Sequence, residues 1–427
     1  MAVRPRVVVV GSGFGGLNVA GRLAGKAVDV TVVDRDNYHG FWPLLYQVAT
    51  AGLGSDDIAR PIRAIYARHP NVDVRLGTVT GVDLDRRHVE VDGEPGLDYD
   101  YLVLAVGSTS ADFGIPGVAD HAFPLKTLPD AVRLRNHVLS SFERADTRWS
   151  PEEQSSELTF VLVGGGPTGV ELSGALSELI AHNLASDFKH LDLHRARIVL
   201  VEMTDHLLPG FSPKSQKLAY DTLVAKGVEI RLNTKLTKVT GDSVAFEDGT
   251  EIGTHTVIWT AGVKASPLSQ RFPGDKGKGG TVPVNADLSL PGRPEVFVIG
   301  DLAAAKRRNG EQLPQLAQVA IQAGKRAAGN IMRRINGKST RPFRYHNHGI
   351  MATIGRRSAV AELPGGLRFG GTLGWLSWLG VHLVFLIGFR NRAVVLVNWA
   401  WNYLTWDRAS RVILDDGSRT TMGQPRV

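Results

Sequence analysis

Residues 6–34 constrain the fold more tightly than any other stretch of this chain. Arg6 leads into Val7-Val8-Val9-Val10, an apolar run of the length expected for a buried strand. Gly11-Ser12-Gly13-Phe14-Gly15-Gly16 follows at once. A helix-compatible segment then covers residues 17–23, and a β-branched run over 28–33 ends in Asp34. Strand, glycine turn, helix, strand and acid, in that order, form a dinucleotide-binding fingerprint. Gly11 permits the tight turn, Gly13 lets the backbone approach a pyrophosphate, and Gly16 lets the helix pack closely on the strand. The helix N-terminus offers unpaired N–H groups and a partial positive charge to the phosphates. Asp34 is placed to accept hydrogen bonds from a ribose diol.

The pattern recurs. Residues 158–163 read as a strand, followed by Gly164-Gly165-Gly166-Pro167-Thr168-Gly169, a long helix to residue 184, a strand over 197–201, and Glu202. Two fingerprints in one chain imply two dinucleotides, which need not be the same molecule. The separation from Gly169 to Glu202 exceeds the usual spacing of about 20 residues, and an extended helix with an insert over 186–194 accounts for it. At Glu202 a 2′-phosphate would face a carboxylate, and Met203 and Thr204 supply no counter-charge. NADH is therefore expected at the second site rather than NADPH. The run 257–262, ending in Ala261-Gly262, echoes 102–107: each is a strand that finishes in small residues beside a ligand.

At 427 residues the chain is too long for one core, and two or three domains are expected. It contains no cysteine. That excludes disulfides, thiolate metal sites and a redox-active dithiol, so any redox chemistry must come from a bound cofactor. The formal net charge of +7 suits an anionic partner surface such as lipid, and nothing calls for nucleic acid. The first strand begins within a few residues of Met1, so no signal peptide is expected.

Other segments have two readings each. The aromatic, proline-broken stretch 37–52 either packs beneath the first sheet or forms a wall for a flat ring system. Residues 73–77 and 79–83 read as short strands, and 88–91 with 99–105 as a hairpin feeding the sheet. Residues 146–157 read as a polar surface linker. Gly300-Asp301 ends a buried run, where the aspartate either meets a nucleotide's ribityl or phosphate end or caps a helix before Leu302. Gln318 and Gln322 are four apart and share a helix face, able to bind a carbonyl ligand or simply half-exposed. His346 and His348 alternate on an expected strand without a third ligand nearby, so no metal site is expected.

Residues 370–389 carry no formal charge, and a second uncharged run covers 393–406. The first is long enough to span a bilayer, but it is glycine-rich and holds His382; the second is too short to return. Five of the eight tryptophans fall between Trp375 and Trp406, and tryptophan prefers the membrane–water boundary. An interfacial helical pair dipped into one leaflet fits best. A dimer interface or a domain core remains the alternative.

On these residues the chain resembles the type II NADH dehydrogenases, the single-subunit NADH:quinone oxidoreductases, over nearly its whole length. The resemblance rests on the two glycine motifs, the stretch 37–52, Gly300-Asp301, Ala317-Gln318-Val319-Ala320-Ile321-Gln322 and the tryptophan-rich end. It implies an α/β fold with two Rossmann-like dinucleotide-binding domains plus a C-terminal membrane-associated helical segment. The implied division is 1–113 and 266–345 for FAD, 114–265 for NADH and 346–427 for anchoring. FAD would contact Gly11, Ser12, Gly13, Phe14, Gly15, Gly16, Asp34, Val79, Asp301, Ala317 and Gln318. NADH would contact Gly164, Gly166, Gly169, Glu202, Ala261 and Gly262. Gln318 and Gln322 would line the quinone site, and Glu171 would lie near flavin and nicotinamide to handle a proton or charge. The implied reaction is hydride transfer from NADH to FAD and then two-electron reduction of a membrane quinone, without proton pumping. The implied setting is peripheral and monotopic on the cytoplasmic side of the cell membrane, with a homodimer as one assembly. The rival within flavoenzymes is a soluble FAD-dependent NAD(P)H reductase serving a ferredoxin-like acceptor, which would not need residues 375–406. A redox sensor that binds nucleotides without rapid turnover is the rival of another class. Disulfide reductases and sulfide:quinone reductases require the cysteines this chain lacks.

Overall fold

The β-branched run at the N-terminus forms the centre of a parallel sheet. In the computed structural model, which describes residues 4–147, 150–272, 274–408 and 410–414, Arg6–Val10 pairs with Asp29–Asp34 on one side and Tyr101–Leu104 on the other. Val72–Leu76 and Arg293–Val298 extend the sheet outward, and Ser289–Leu290 closes one edge antiparallel. Strands of a parallel sheet are covered on both faces, which is why Val7, Val8, Val9 and Val10 are all buried. These strands belong to a compact unit made of residues 1–40, 59–109 and 263–348. Its helices Phe14–Leu23 and Ala317–Ile335 pack on each other at very short range. A Cβ at Gly324 would stand 2.3 Å from the Gly15 carbonyl oxygen, so small residues set this approach.

The expected hairpin of 88–91 with 99–105 does not form. His88–Val91 instead pairs antiparallel with Val79–Asp83 and Glu94–Asp98 in a separate three-stranded sheet. Asp92-Gly93, with Gly93 at φ +66°, supplies the two-residue turn. Tyr101–Leu104 is free to serve as a buried parallel strand of the main sheet.

A second compact unit comprises residues 41–58, 110–262 and 349–427. Its parallel sheet runs Ala122–Pro124, Thr256–Trp259, Thr159–Val163, Arg197–Val201 and Val228–Arg231 in spatial order. Helix Pro167–Glu178 continues through a π-helical stretch, Leu179–Leu184, into Ala185–Asp187. The stretch expected as a linker holds a helix, Pro151–Glu157. Ser150 caps it by accepting the Glu153 N–H, Pro151 sits at its first position, and Glu152 and Glu153 face its positive end. The two units change over at residues 109, 262 and 348, whereas the expected boundaries stood at 113, 265 and 345. Residues 41–58 and 349–427 group with the second unit rather than with the first or alone.

The C-terminal part begins with an antiparallel sheet, Ile350–Gly355, Ser358–Glu362 and Arg368–Gly370. Helices Gly371–Phe385 and Phe389–Thr405 follow. A Cβ at Gly374 would lie 2.6 Å from the Ala359 carbonyl oxygen, so the first helix rests directly on the middle strand. No helix among the described residues is long and apolar enough to cross a membrane.

The contact at Gly324 generates a stability prediction. Gly324→Ala forces the two helices apart and should destabilise the protein by about 1–3 kcal/mol, as overpacked cores do. Thermal unfolding checks this; an unchanged melting temperature would show the contact to be slack.

Candidate functional site

Each glycine turn forms a cradle with a closed back and an open floor. Gly11 sits at φ +93°, and a Cβ there would fall 2.6 Å from the Ala105 carbonyl oxygen. A Cβ at Gly16 would fall 1.8 Å from the Gly11 oxygen, and one at Gly15 would press on Ile299 at 3.1 Å. At Gly13 a Cβ would meet nothing within 4 Å. Gly11 and Gly16 therefore answer to packing, and Gly13 opens onto free space at a helix N-terminus, where a pyrophosphate is favoured. The Asp34 carboxylate accepts the Ser12 N–H at 2.5 Å and the Ser12 hydroxyl at 2.6 Å, and its other oxygen accepts the Asp36 N–H. His39, absent from the sequence reading as a site residue, binds the same loop: Nδ1 lies 2.8 Å from the Ser12 carbonyl oxygen, and its ring meets Phe14 edge-on. Burial holds its pKa below the usual imidazole value, and Nε2 is enclosed without a partner. The open floor, the anchored acid and this orphaned nitrogen fit an adenine dinucleotide.

The second cradle repeats the first. Gly164 is at φ +112° with its missing Cβ 2.7 Å from the Ala261 Cα, and a Cβ at Gly169 would fall 1.9 Å from the Gly164 oxygen. Gly166 faces open space as Gly13 does. Gly262, at φ +155°, leaves room for the Phe113 ring. Despite its longer separation in sequence, Glu202 reaches this loop: it accepts the Gly165 N–H at 2.6 Å and the Thr204 N–H at 2.9 Å. The insert loops out between the helix and Arg197–Val201 without displacing the acid.

The remaining first-unit candidates have specific partners. Asp301 lies inside the short turn Gly300–Leu302, whose cap is Ile299, and accepts the Ser108 hydroxyl at 2.6 Å. It does not cap a helix. Val79 opens the strand Val79–Asp83 and packs its side chain on the core, and Ala317 is the first residue of the helix Ala317–Ile335. Gln322 pairs with the His346 backbone in both directions, donating to its oxygen at 2.8 Å and accepting its N–H at 2.9 Å. Gln318 accepts the His348 N–H at 3.0 Å. Residues 346–348 form no strand; these two amides hold the segment in place of a sheet.

Glu171, on the helix Pro167–Glu178, is the most perturbed acid of the second unit. Desolvation of the half-buried side chain raises its pKa to about 8, against weaker lowering by the Thr353 N–H, 3.3 Å away, and by the Trp378 indole. Beside it lies a polar cluster covered by the C-terminal helices: Trp399 donates to Gln47, and Gln47 donates to the Tyr46 hydroxyl, both at 2.8 Å. The helix Phe389–Thr405 turns three asparagines inward. Asn391 binds the backbone of Asp56 and Asp57, Asn398 binds the Asp57 carboxylate, and Asn402 binds Gly52. Leu396, Val397, Trp401 and Leu404 of the same helix are exposed.

Residues 5–324 match the family described as pyridine nucleotide-disulphide oxidoreductase, and residues 347–406 match the NDH2 C-terminal domain. The chain is 40% identical to the type II NADH:quinone oxidoreductase Ndh of Mycobacterium tuberculosis, over 96% of its own length and 91% of the relative's. The chain belongs to the type II NADH:quinone oxidoreductases. An internal alternative NAD(P)H-ubiquinone oxidoreductase of Arabidopsis thaliana is 30% identical, with 96% of this chain and 86% of the relative covered. The fold matches that of NDH2 from Plasmodium falciparum, solved in complex with NADH, with a TM-score of 0.89 at 20% identity, covering 97% of this chain and all of the other.

Within this family assignment the sequence reading located both glycine turns and both acids but passed over His39 and the Tyr46–Gln47–Trp399 chain. Only their place in the aromatic stretch 37–52 hinted at the first three; nothing local paired Gln47 with Trp399, 352 residues away. The open floor of the second cradle makes a clean test. Gly166→Val should leave the melting temperature nearly unchanged, since a Cβ there meets no protein atom within 4 Å, and should abolish NADH binding in a fluorescence titration. Retained NADH affinity would refute the cradle.

Proposed function

We propose that this chain oxidises NADH and reduces a membrane quinone without pumping protons, holding FAD in the first cradle and admitting NADH to the second. The observation that carries this reading is the duplicated cradle in a chain without cysteine: two nucleotides are accommodated, and no thiol is present to share their electrons. The balance is NADH plus one proton plus quinone giving NAD⁺ and quinol. Bound at Gly11–Gly16 and Asp34, FAD supplies two-electron redox chemistry that no side chain here provides. Glu202 receives the ribose hydroxyls of NADH and repels a 2′-phosphate. Ala261 and Gly262, at the end of the neighbouring strand, admit the nucleotide to close backbone contact.

One proton per turnover must come from the protein or water. Glu171 is suited to deliver it, because burial keeps it protonated up to a pH of about 8. Gln318 and Gln322 line the quinone site through the segment 346–348 that they hold. The exposed apolar side chains Leu373, Leu376, Phe385, Phe389, Leu396 and Leu404 dip into one leaflet. NADH is a charged, water-soluble substrate, which puts the attachment on the cytoplasmic side. A reductase for a ferredoxin-like protein leaves these faces without a use.

Two measurements test the reading. NADH should bleach the flavin of the purified protein and quinone should restore its colour; Glu171→Gln should slow only the restoration, by about 10²–10⁴-fold, the range of general acid catalysis. Bleaching without restoration by any quinone, while a ferredoxin restores it, would replace quinone as the acceptor. Phe389→Asp combined with Leu404→Asp should move the protein from membranes to the soluble fraction. Wild-type protein that sediments as a lipid-free dimer, and as a monomer once so substituted, would assign these faces to a homodimer instead.

A further inference from the structure

The hydrogen-bond chain beneath the C-terminal helices has a fixed direction. An indole N–H only donates, so Trp399 at 2.8 Å makes the Gln47 oxygen the acceptor and turns the Gln47 amide nitrogen toward Tyr46. That N–H takes up the Tyr46 oxygen as an acceptor, at 2.8 Å. The proton of Tyr46 must therefore point away from Gln47, and no described residue accepts it. A second donor lies beside it: the Trp378 ring meets the Tyr46 ring edge-on at 6.1 Å, and its indole N–H is enclosed without a partner. Trp378 is 1% exposed and Tyr46 6%, so neither donor reaches bulk solvent.

Glu171 is the acid among the elements that carry both donors: the helix Leu45–Ala49 packs on its helix, and Gly371–Phe385 packs on the strand whose Thr353 N–H it accepts. The Trp378 indole N–H acts to lower the pKa of Glu171, and after burial the Glu171 charge is the largest influence on the Tyr46 hydroxyl. The carboxyl accepts one long bond, from the Thr353 N–H at 3.3 Å. This suffices for a protonated acid and leaves an ionised, only partly exposed carboxyl short of donors. No cation of the described residues perturbs the carboxyl. The other charges that Tyr46 feels are those of Tyr403 and Glu178, and Glu178 is bound by Lys226 and Arg408. His382, stacked on Trp378 at 4.0 Å, has its pKa lowered by burial to about 4 and is neutral at working pH.

We infer that Tyr46 and Trp378 are positioning residues for Glu171, two pre-oriented donors that close on its carboxylate each time it gives up a proton. The inference rests on the reading of Glu171 as the proton donor for quinone reduction. Trp399 and Gln47 supply no proton through this chain; they hold the Tyr46 hydroxyl in the donating sense. After each turnover water returns a proton to Glu171 and the two donors are released.

The test uses the FAD-loaded enzyme and compares wild type with Tyr46→Phe, Trp378→Phe and Glu171→Gln. Removing a donor to the ionised form raises the acid's pKa. In Tyr46→Phe the alkaline fall of quinone reduction, and the titration of the carboxyl stretch that vanishes in Glu171→Gln, should both move up by about one pH unit. Trp378→Phe should move them the same way, and it keeps the test alive should one variant fold poorly. Flavin bleaching by NADH should be unaltered in both. An unmoved carboxyl titration in both variants would overturn the inference, and a rise in quinone KM alone would place Tyr46 against the quinone instead. A pH profile unchanged in Glu171→Gln would remove Glu171 from proton delivery and, with it, this role for its neighbours.

Discussion

The bond between a strand-end carboxylate and the backbone of a glycine turn is the interaction on which each nucleotide cradle depends. Asp34 pins the Ser12 N–H, and Glu202 pins the Gly165 N–H. Each bond ties the second strand of its fingerprint to the turn after the first, fixes where the helix begins, and sets a negative group beside the open glycine. The two cradles solve the geometry differently. The longer glutamate brings its own side chain against the turn: a Cβ at Gly165 would lie 3.0 Å from the Glu202 Cβ and 2.7 Å from Leu207. The shorter aspartate leaves room for a side chain at the equivalent place, and the Ser12 hydroxyl becomes a second donor to it. Serine with aspartate and glycine with glutamate are thus matched pairs, and exchanging one member alone would clash or leave a gap.

A reversed polarity distinguishes the C-terminal helices from ordinary surface helices. A helix on a globular core turns apolar groups inward and polar groups outward. In Phe389–Thr405 three asparagines and the indole of Trp399 face protein, each meeting a specific backbone or side-chain acceptor in residues 41–58. Directional bonds hold this helix in place beside the buried Val395 and Trp399, and Leu396, Val397, Trp401 and Leu404 stay exposed. The chain beyond is latched as well: Arg408 is buried and donates to the carbonyls of Thr50 and Ala175, and Trp406 lies between the Arg356 guanidinium and the His182 ring.

What was legible in the sequence follows from range. The glycine turns, their acids and the parallel strands are written in contiguous segments, each with its own periodicity, and they could be placed by residue. At 88–105 the more apolar run 99–105 suggests the pairing by composition, whereas the local Asp92-Gly93 turn signal decides it in favour of Glu94–Asp98. Gln318 and Gln322 were placed on one face by spacing, but that spacing could not reveal that a backbone 24 to 30 residues on would occupy their amides. The polar cluster around Glu171 joins four segments far apart in sequence, and only the fold brings them together.

Two glutamates on one helix show how that fold assigns roles. Glu171 and Glu178 lie two helical turns apart, on the same side of Pro167–Glu178 and its extension. Glu178 accepts the Arg356 N–H at 2.6 Å and Lys226 at 2.8 Å and is paired with Arg408. Its charge is matched, and it ties three segments together. Glu171 is desolvated with no cation of the described residues beside it, so the neutral form is favoured and the pKa climbs to about 8. Had Lys226 or Arg408 faced the first glutamate, it would be a permanent anion with no proton to give. The cations are spent on the structural acid, and the other is left able to exchange its proton near neutral pH.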